Sequence, residues 1–255
     1  MKVVILAGGF GTRLSEETSS KPKPMVEIGG KPILWHIMKG FSKQGYDDFI
    51  ILTGFKSYVI KEYFLNYFSH NSDIEINLKN NEVKYKNYTC ENWKINIIDT
   101  GVNTMTGGRI LAAKNAIGSK NFILTYGDGL SDVDLSEVYK VHLEQQNIVT
   151  LTGVQPTGRF GSLGIEGQKV VSFMEKNRGD GNWVNGGFFV CSSKVFDFIE
   201  NSNTVFEEYT LPIIAKSQKL GVFQHHGYWQ CMDTLRDKLA LESEWKNGKP
   251  GWKTW

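Results

Sequence analysis

Cysteine, charge of one sign and long apolar runs are all scarce in this chain, and each scarcity removes a class of protein. Cys90, Cys191 and Cys231 are odd in number, widely spaced and in no CxxC pattern. That argues against a disulfide framework or a zinc site and leaves buried free thiols as the expectation. Lysine and arginine number 29 against 27 acidic residues, a net charge of +2. There is no broad basic field to hold nucleic acid or a membrane surface, so any phosphate chemistry must be local. No segment reaches the ~18–20 consecutive apolar residues of a spanning helix, and the amino terminus lacks the basic, apolar and cleavage regions of a signal peptide. The expected compartment is the cytoplasm. The five histidines show no HxxxH spacing that would place two metal ligands on one helix face. Solenoid repeats and low-complexity tracts are absent as well.

What is present is an alternation of apolar runs and helical patterns in 255 residues, enough for one large domain with a full core. Residues 2–7 and 48–53 read as strands buried on both faces. A helix lies between them, with Pro32 in its first turn, Ile33, Leu34, Ile37, Met38 and Phe41 at helical spacing, and Gly45 past its end. A helix is expected near 56–68, where Val59, Ile60, Tyr63, Phe64 and Tyr67 share a face. Strands follow near 74–78 and 94–99, then a helix from about 107 to 117 leading into a strand at 121–126. The expected fold is α/β: a Rossmann-like, mostly parallel mixed sheet flanked by helices, with ligands at the carboxyl ends of the strands. Beyond about residue 145 the texture turns more β-rich, with runs at 148–154, 170–175 and 186–191, and this half is expected to cover the carboxyl edge of the first. Helices near 206–218 and 234–246 precede a tail whose Trp252 and Trp255 imply docking or a subunit contact.

Leu6-Ala7-Gly8-Gly9-Phe10-Gly11-Thr12-Arg13 follows the first strand directly. Its glycines let backbone N–H groups approach a phosphate without Cβ obstruction, and Arg13 adds a fixed positive fork. Taken alone, the glycines also fit a tight turn. A Walker A loop is excluded because no Gly-Lys-Ser/Thr follows, and the dinucleotide fingerprint because no third glycine follows Gly11. Lys21-Pro22-Lys23-Pro24-Met25 comes next, two prolines stiffening the backbone around two lysines. A stiff cationic loop beside a glycine loop suits phosphates.

With these residues in view, the chain resembles the sugar-1-phosphate nucleotidyltransferases, and among them most resembles the glucose-1-phosphate cytidylyltransferases. The likeness covers essentially the whole length and rests on residues 6–14, 21–36 (through Trp35-His36), Met105-Thr106-Gly107-Gly108-Arg109, Thr125-Tyr126-Gly127-Asp128-Gly129, Gly158-Arg159-Phe160-Gly161, residues 185–189 and Met232-Asp233-Thr234-Leu235-Arg236-Asp237. It implies transfer of CMP from CTP to α-D-glucose 1-phosphate, giving CDP-glucose and pyrophosphate, with Mg2+ as cofactor and no nucleic acid or membrane partner. It also implies a homo-oligomer and a place in bacterial surface-polysaccharide synthesis through dideoxyhexoses. One domain, 1–255, would divide into a nucleotide-binding half to about 145 and a sugar-binding half beyond it.

In that reading Leu6, Ala7, Gly8, Gly9, Gly11, Thr12, Arg13, Lys23, Thr104, Arg109, Gly127 and Asp128 hold the nucleotide, with Arg13, Lys23 and Asp128 catalytic. Arg109 fits either the cytosine carbonyl or a phosphate. Asp128 and Asp233 are the implied magnesium ligands, since one or two carboxylates plus substrate phosphates are the usual set. Asp132 and Asp134 read instead as a helix cap. Glu175, Lys176, Asn185 and Gly186 are the implied sugar-phosphate residues, although Glu175-Lys176 also fits a surface ion pair, and Asn177 stands where the wider family often has proline. UTP or dTTP would suit the glycine loop equally well. A non-catalytic regulatory module would be marked by replacement of Lys23, Asp128 or Asp233, and all three are present.

Overall fold

Along the first strand, β1 (Val3–Ala7), side chains alternate between two apolar layers: Val3, Ile5 and Ala7 enter one, Val4 and Leu6 the other. A strand with no polar face can only be central, and it is. The computed structural model describes residues 1–156, 162–174 and 183–255. Around β1 lie β2 (Asp48–Thr53), β3 (Lys94–Asp99), β4 (Phe122–Tyr126), β5 (Val149–Val154), β6 (Val184–Cys191) and β7 (Leu220–His225), in the order β7-β5-β6-β4-β1-β2-β3. All run parallel except β6, which is antiparallel to both β4 and β5. The second half therefore does more than cover the strand ends. Three of its strands extend the same sheet past β4, because the apolar run Phe188–Cys191 pairs residue for residue with Phe122–Thr125.

The helix Ile33–Lys43 buries Ile33, Leu34, Ile37, Met38 and Phe41, each worth about 1.5–3 kcal/mol relative to exposure. Pro32 stands just before it, and Gly45 follows at φ 83°. Two expected helices are broken. Residues 56–68 divide at Asn66 into Ser57–Leu65 and Tyr67–His70, and residues 107–117 divide at Ala113 into Thr106–Ala112 and Lys114–Ile117. The expected helix at 206–218 opens as a π-helical turn, Phe206–Thr210, before Leu211–Lys216. The strand expected near 74–78 belongs outside the central sheet, in a hairpin of Asp73–Asn77 with Glu82–Lys86. Ile74, Ile76, Val83 and Tyr85 of that hairpin are exposed.

Of the cysteines, Cys191 is buried, Cys231 half-buried and Cys90 exposed, so only part of the expected thiol burial holds. The carboxyl-terminal tail is docked: Trp252 is 1% exposed and packs its ring against His36, Trp245 and Tyr228. No helix among the described residues is long and apolar enough to cross a membrane.

Candidate active site

From β1 the chain crosses to β2 on one side and later returns to β4 on the other. A crevice opens at the carboxyl ends where the winding reverses. It holds a cavity of about 560 Å³ lined by residues 6–13, Lys23, Pro24, residues 102–106, Arg109 and residues 126–128. Gly11 turns the loop with φ 66°, a left-handed conformation that favours glycine, and leads into the short turn Thr12–Leu14. Thr18 fastens that turn by donating to the carbonyls of Gly11 and Leu14.

Pro22 is extended and Pro24 is buried within the turn Lys23–Met25, which fixes where Lys23 points. Its ammonium lies 2.6 Å from Asp128 Oδ2 and 2.6 Å from Asp233 Oδ1. Arg13 Nη1 reaches the other oxygen of Asp233 at 2.9 Å. Burial pulls the lysine pKa down, but charge and hydrogen bonds from Asp128, with those from Asp233, outweigh it and hold the group above its ordinary value. Lys23 is therefore a committed cation. Lys21, by contrast, pairs at 3.6 Å with the exposed Glu27, outside the cavity.

Backbone pairing explains how two aspartates far apart in sequence come to share one lysine. Gly129–Ser131 runs antiparallel to Trp229–Cys231, and the Met232 N–H donates to the Asp128 carbonyl at 2.9 Å. Immediately afterwards Thr234 and Asp237 form a reciprocal capping box on the helix Leu235–Lys246, and the Asp233 N–H also donates to Asp237. Asp233 is thus fixed between a strand end and a helix start. Beside this pair the Cys231 thiol is pushed up to about 12, first by burial and then by the charges of Asp233 and Asp128, so it stays protonated.

The donor set suits a small divalent cation. Two carboxylates from separate elements close on one positive atom, the ammonium of Lys23, so their oxygens already converge on a cation. No group of three or more His, Cys, Asp or Glu side chains placed to hold a metal occurs among the described residues. An ion here would take the aspartates and complete its shell with phosphate oxygens, the habit of magnesium.

The other expected site residues are distributed as follows. Thr104 lines the cavity and donates to the Thr100 carbonyl at 2.5 Å. Arg109 also lines it, yet its guanidinium is buried and already donates to the carbonyls of Gly8, Thr53, Gly101 and Val102 and to the Thr100 hydroxyl. It ties the glycine loop to the 100–102 loop. A Cβ on Gly8 would come within 2.3 Å of this guanidinium. Asn185 and Gly186 lie within β6, and Asn185 reaches the cavity wall through Tyr126, whose hydroxyl accepts from Asn185 Nδ2 at 3.5 Å. Glu175 and Lys176 fall outside the described residues, as do residues 158–161.

Two features went unread in the sequence. Asp134 does cap the helix Leu135–Glu144, but Asp132 accepts from the Tyr228 N–H at 2.7 Å and sits 2.9 Å from His225 Nε2, tying the loop after Asp128 to β7. Glu207 accepts from both Tyr126 and Thr106, two cavity-lining side chains. No spacing signal marks either contact, because each joins elements distant in sequence.

Known proteins place this geometry. The family model described as nucleotidyl transferase matches residues 2–241. A glucose-1-phosphate cytidylyltransferase of Salmonella typhi is 51% identical over 256 residues, covering all of both chains. A probable glucose-1-phosphate cytidylyltransferase of Bacillus subtilis is 45% identical over 257 residues, again at full coverage of both. Among solved structures, HddC from Yersinia pseudotuberculosis superposes with a TM-score of 0.70 at 26% identity, covering 96% of this chain and 99% of its own. With the glycine loop, the clamped lysine and the paired aspartates in one crevice, and a family match over nearly the whole length, the chain belongs to the nucleotidyl transferase family.

Proposed function

We propose that this protein transfers CMP from CTP to α-D-glucose 1-phosphate, releasing pyrophosphate and forming CDP-glucose. The observation that carries the chemistry is Lys23 held between Asp128 and Asp233 at the glycine-loop cavity. The choice of base and sugar is supported by the 51% identity, at full length, to the Salmonella typhi glucose-1-phosphate cytidylyltransferase.

The reaction needs two polyanions brought into line and the charge at the α-phosphorus neutralised as pyrophosphate leaves. The N–H groups of residues 8–12 and the Arg13 guanidinium receive the triphosphate, and Lys23 grips the α-phosphoryl oxygens. Asp128 and Asp233 hold Mg2+, which when bound supplies further positive charge to the phosphates. The nucleophile is a phosphate oxygen of the sugar phosphate, whose second pKa of about 6 leaves it largely ionised near neutral pH. No side chain has to act as general base. Thr104, Arg109 and Gly127 shape the nucleotide side. Glu175, Lys176, Asn185 and Gly186 serve the sugar phosphate.

In this reading residues 1–255 work as one unit, with the nucleotide held by the part before about 145 and the sugar phosphate by the rest. We place the protein in the cytoplasm and read it as a homo-oligomer, the assembly being supported by the exposed Ile74, Ile76, Val83 and Tyr85 of the 73–86 hairpin. The test is pyrophosphate release with glucose 1-phosphate across CTP, UTP, dTTP, ATP and GTP. CTP is expected to give the highest kcat/KM; preference for any other nucleotide overturns the assignment.

A further inference from the structure

Behind the cavity wall, Glu207 makes contacts that the chemistry above does not use. Its Oε1 accepts from the Tyr126 hydroxyl at 2.5 Å, and its Oε2 accepts from the Thr106 hydroxyl at 2.6 Å. The two partners belong to different sides of the site. Thr106 opens the helix Thr106–Ala112, directly after the loop 102–105 that lines the nucleotide cavity. Tyr126 ends β4, directly before Gly127 and Asp128, and its ring fills the space a Cβ of Gly187 would need, 2.5 Å away. The same hydroxyl accepts from Asn185, so Tyr126 is a partition between the nucleotide cavity and the 185–187 segment.

The support for Glu207 is itself specialised. It lies in the π-helical turn Phe206–Thr210, a rare form that occurs mostly as single turns and is frequent at functional sites. The Phe206 N–H donates to the Thr106 hydroxyl at 2.9 Å, which frees that hydroxyl's proton for Glu207. The carbonyls of Ser202 and Thr204 accept from the N–H groups of Met105 and Gly107, so the chain leading to Glu207 holds the end of the 102–105 loop and the start of its helix by their backbone. One carboxylate thus braces both walls.

We propose that Glu207 is a positioning residue that couples the nucleotide side of the site to the sugar side, through Thr106 and Tyr126 respectively. Occupying one side orders its wall, and the shared carboxylate passes that order to the other. This rests on the functional reading above, but its test is separable: wild-type turnover tests the reaction, whereas ratios between variants test the coupling, in whichever nucleotide the wild type uses.

The experiment measures KM for nucleoside triphosphate and for glucose 1-phosphate, kcat and Tm in Glu207→Gln, Thr106→Val, Tyr126→Phe and their double variants. Loss of a hydrogen bond to a charged group corresponds to about tenfold. Thr106→Val is expected to raise mainly the nucleotide KM, Tyr126→Phe mainly the sugar-phosphate KM, and Glu207→Gln both. Adding either hydroxyl deletion to Glu207→Gln changes little more. A folded Glu207→Gln protein that keeps both KM values within about twofold of wild type, or double variants whose effects multiply as independent factors, overturns the proposal. If Glu207→Gln does not fold, the Thr106→Val/Tyr126→Phe cycle decides: a double variant less impaired than the product of the singles supports coupling, and a simple product refutes it.

Discussion

His36 is 1% exposed, on the helix Ile33–Lys43, and its two ring nitrogens face opposite demands. Nε2 lies 2.8 Å from the Ile28 carbonyl and must donate; Nδ1 lies 3.4 Å from the Trp252 indole N–H and must accept. Only the neutral ring with its proton on Nε2 satisfies both. Protonating Nδ1 would set one N–H against another and place a charge among Trp35, Trp245, Trp252 and Trp255. Burial accordingly pushes the pKa down to about 4, although the Ile28 carbonyl and Glu242 act the other way. The unfolded chain, with a histidine pKa near 6.5, binds this proton first, so acidification favours unfolding. The contribution is complete above about pH 6.5 and is lost as pH falls toward 4. Linkage gives a loss of about 2 kcal/mol between pH 7 and pH 5, growing to about 3 kcal/mol by pH 4. The assay is urea unfolding of wild type and His36→Gln at each pH, with tryptophan fluorescence reporting the tail. Because other titrating groups cancel in the difference, the wild-type advantage should shrink by that amount. A difference that stays constant to within about 0.5 kcal/mol from pH 7 to pH 5 would refute the reasoning, since one pKa unit is worth about 1.4 kcal/mol.

Three further outcomes follow from the site. Lys23→Ala removes the cation from two carboxylates and, in the proposed mechanism, from the α-phosphoryl group, so kcat should fall by at least about a hundredfold, as when one preorganised charge donor is removed; the measurement is pyrophosphate release, with circular dichroism to show that the fold persists. Chelation by EDTA should abolish turnover and added Mg2+ restore it, and Asp128→Asn and Asp233→Asn should each need far more Mg2+ for half-maximal rate; a variant with wild-type magnesium dependence would not be a ligand at that position. Gly8→Ala drives a methyl group against the pinned Arg109 guanidinium, so thermal denaturation should show a loss of about 1–3 kcal/mol, the usual cost of overpacking.

Periodic and short-range features were legible in the sequence because they are local. The run 48–53 matches β2, and the glycine loop and Lys23 both line the cavity. The breaks at Asn66 and Ala113 were not legible, because apolar spacing continues across them and only tertiary packing decides where the helix yields. The placement of β5–β7 within the central sheet was hidden too, since sequence patterning sets strand existence more firmly than strand partners. The aspartate pair depends on strands of three residues, Gly129–Ser131 and Trp229–Cys231, too short to show alternation. The resemblance to known enzymes supplied that pair where periodicity could not. Arg109 shows the remaining gap: the sequence marks an arginine beside a nucleotide loop, but only the fold reveals that its two terminal nitrogens donate to five backbone and hydroxyl oxygens.

The short pairing of Gly129–Ser131 with Trp229–Cys231 also sets when the site can first exist. A chain emerging from the ribosome exposes its glycine loop, Lys23 and Asp128 long before Asp233 has been made. Until the last helix is capped, Lys23 has one carboxylate partner instead of two, and the proposed metal has half its protein ligands. In the proposed mechanism catalytic competence therefore waits for residue 233 and the helix that fixes it, and a product truncated before that point would be silent as a transferase even where its nucleotide cavity had formed.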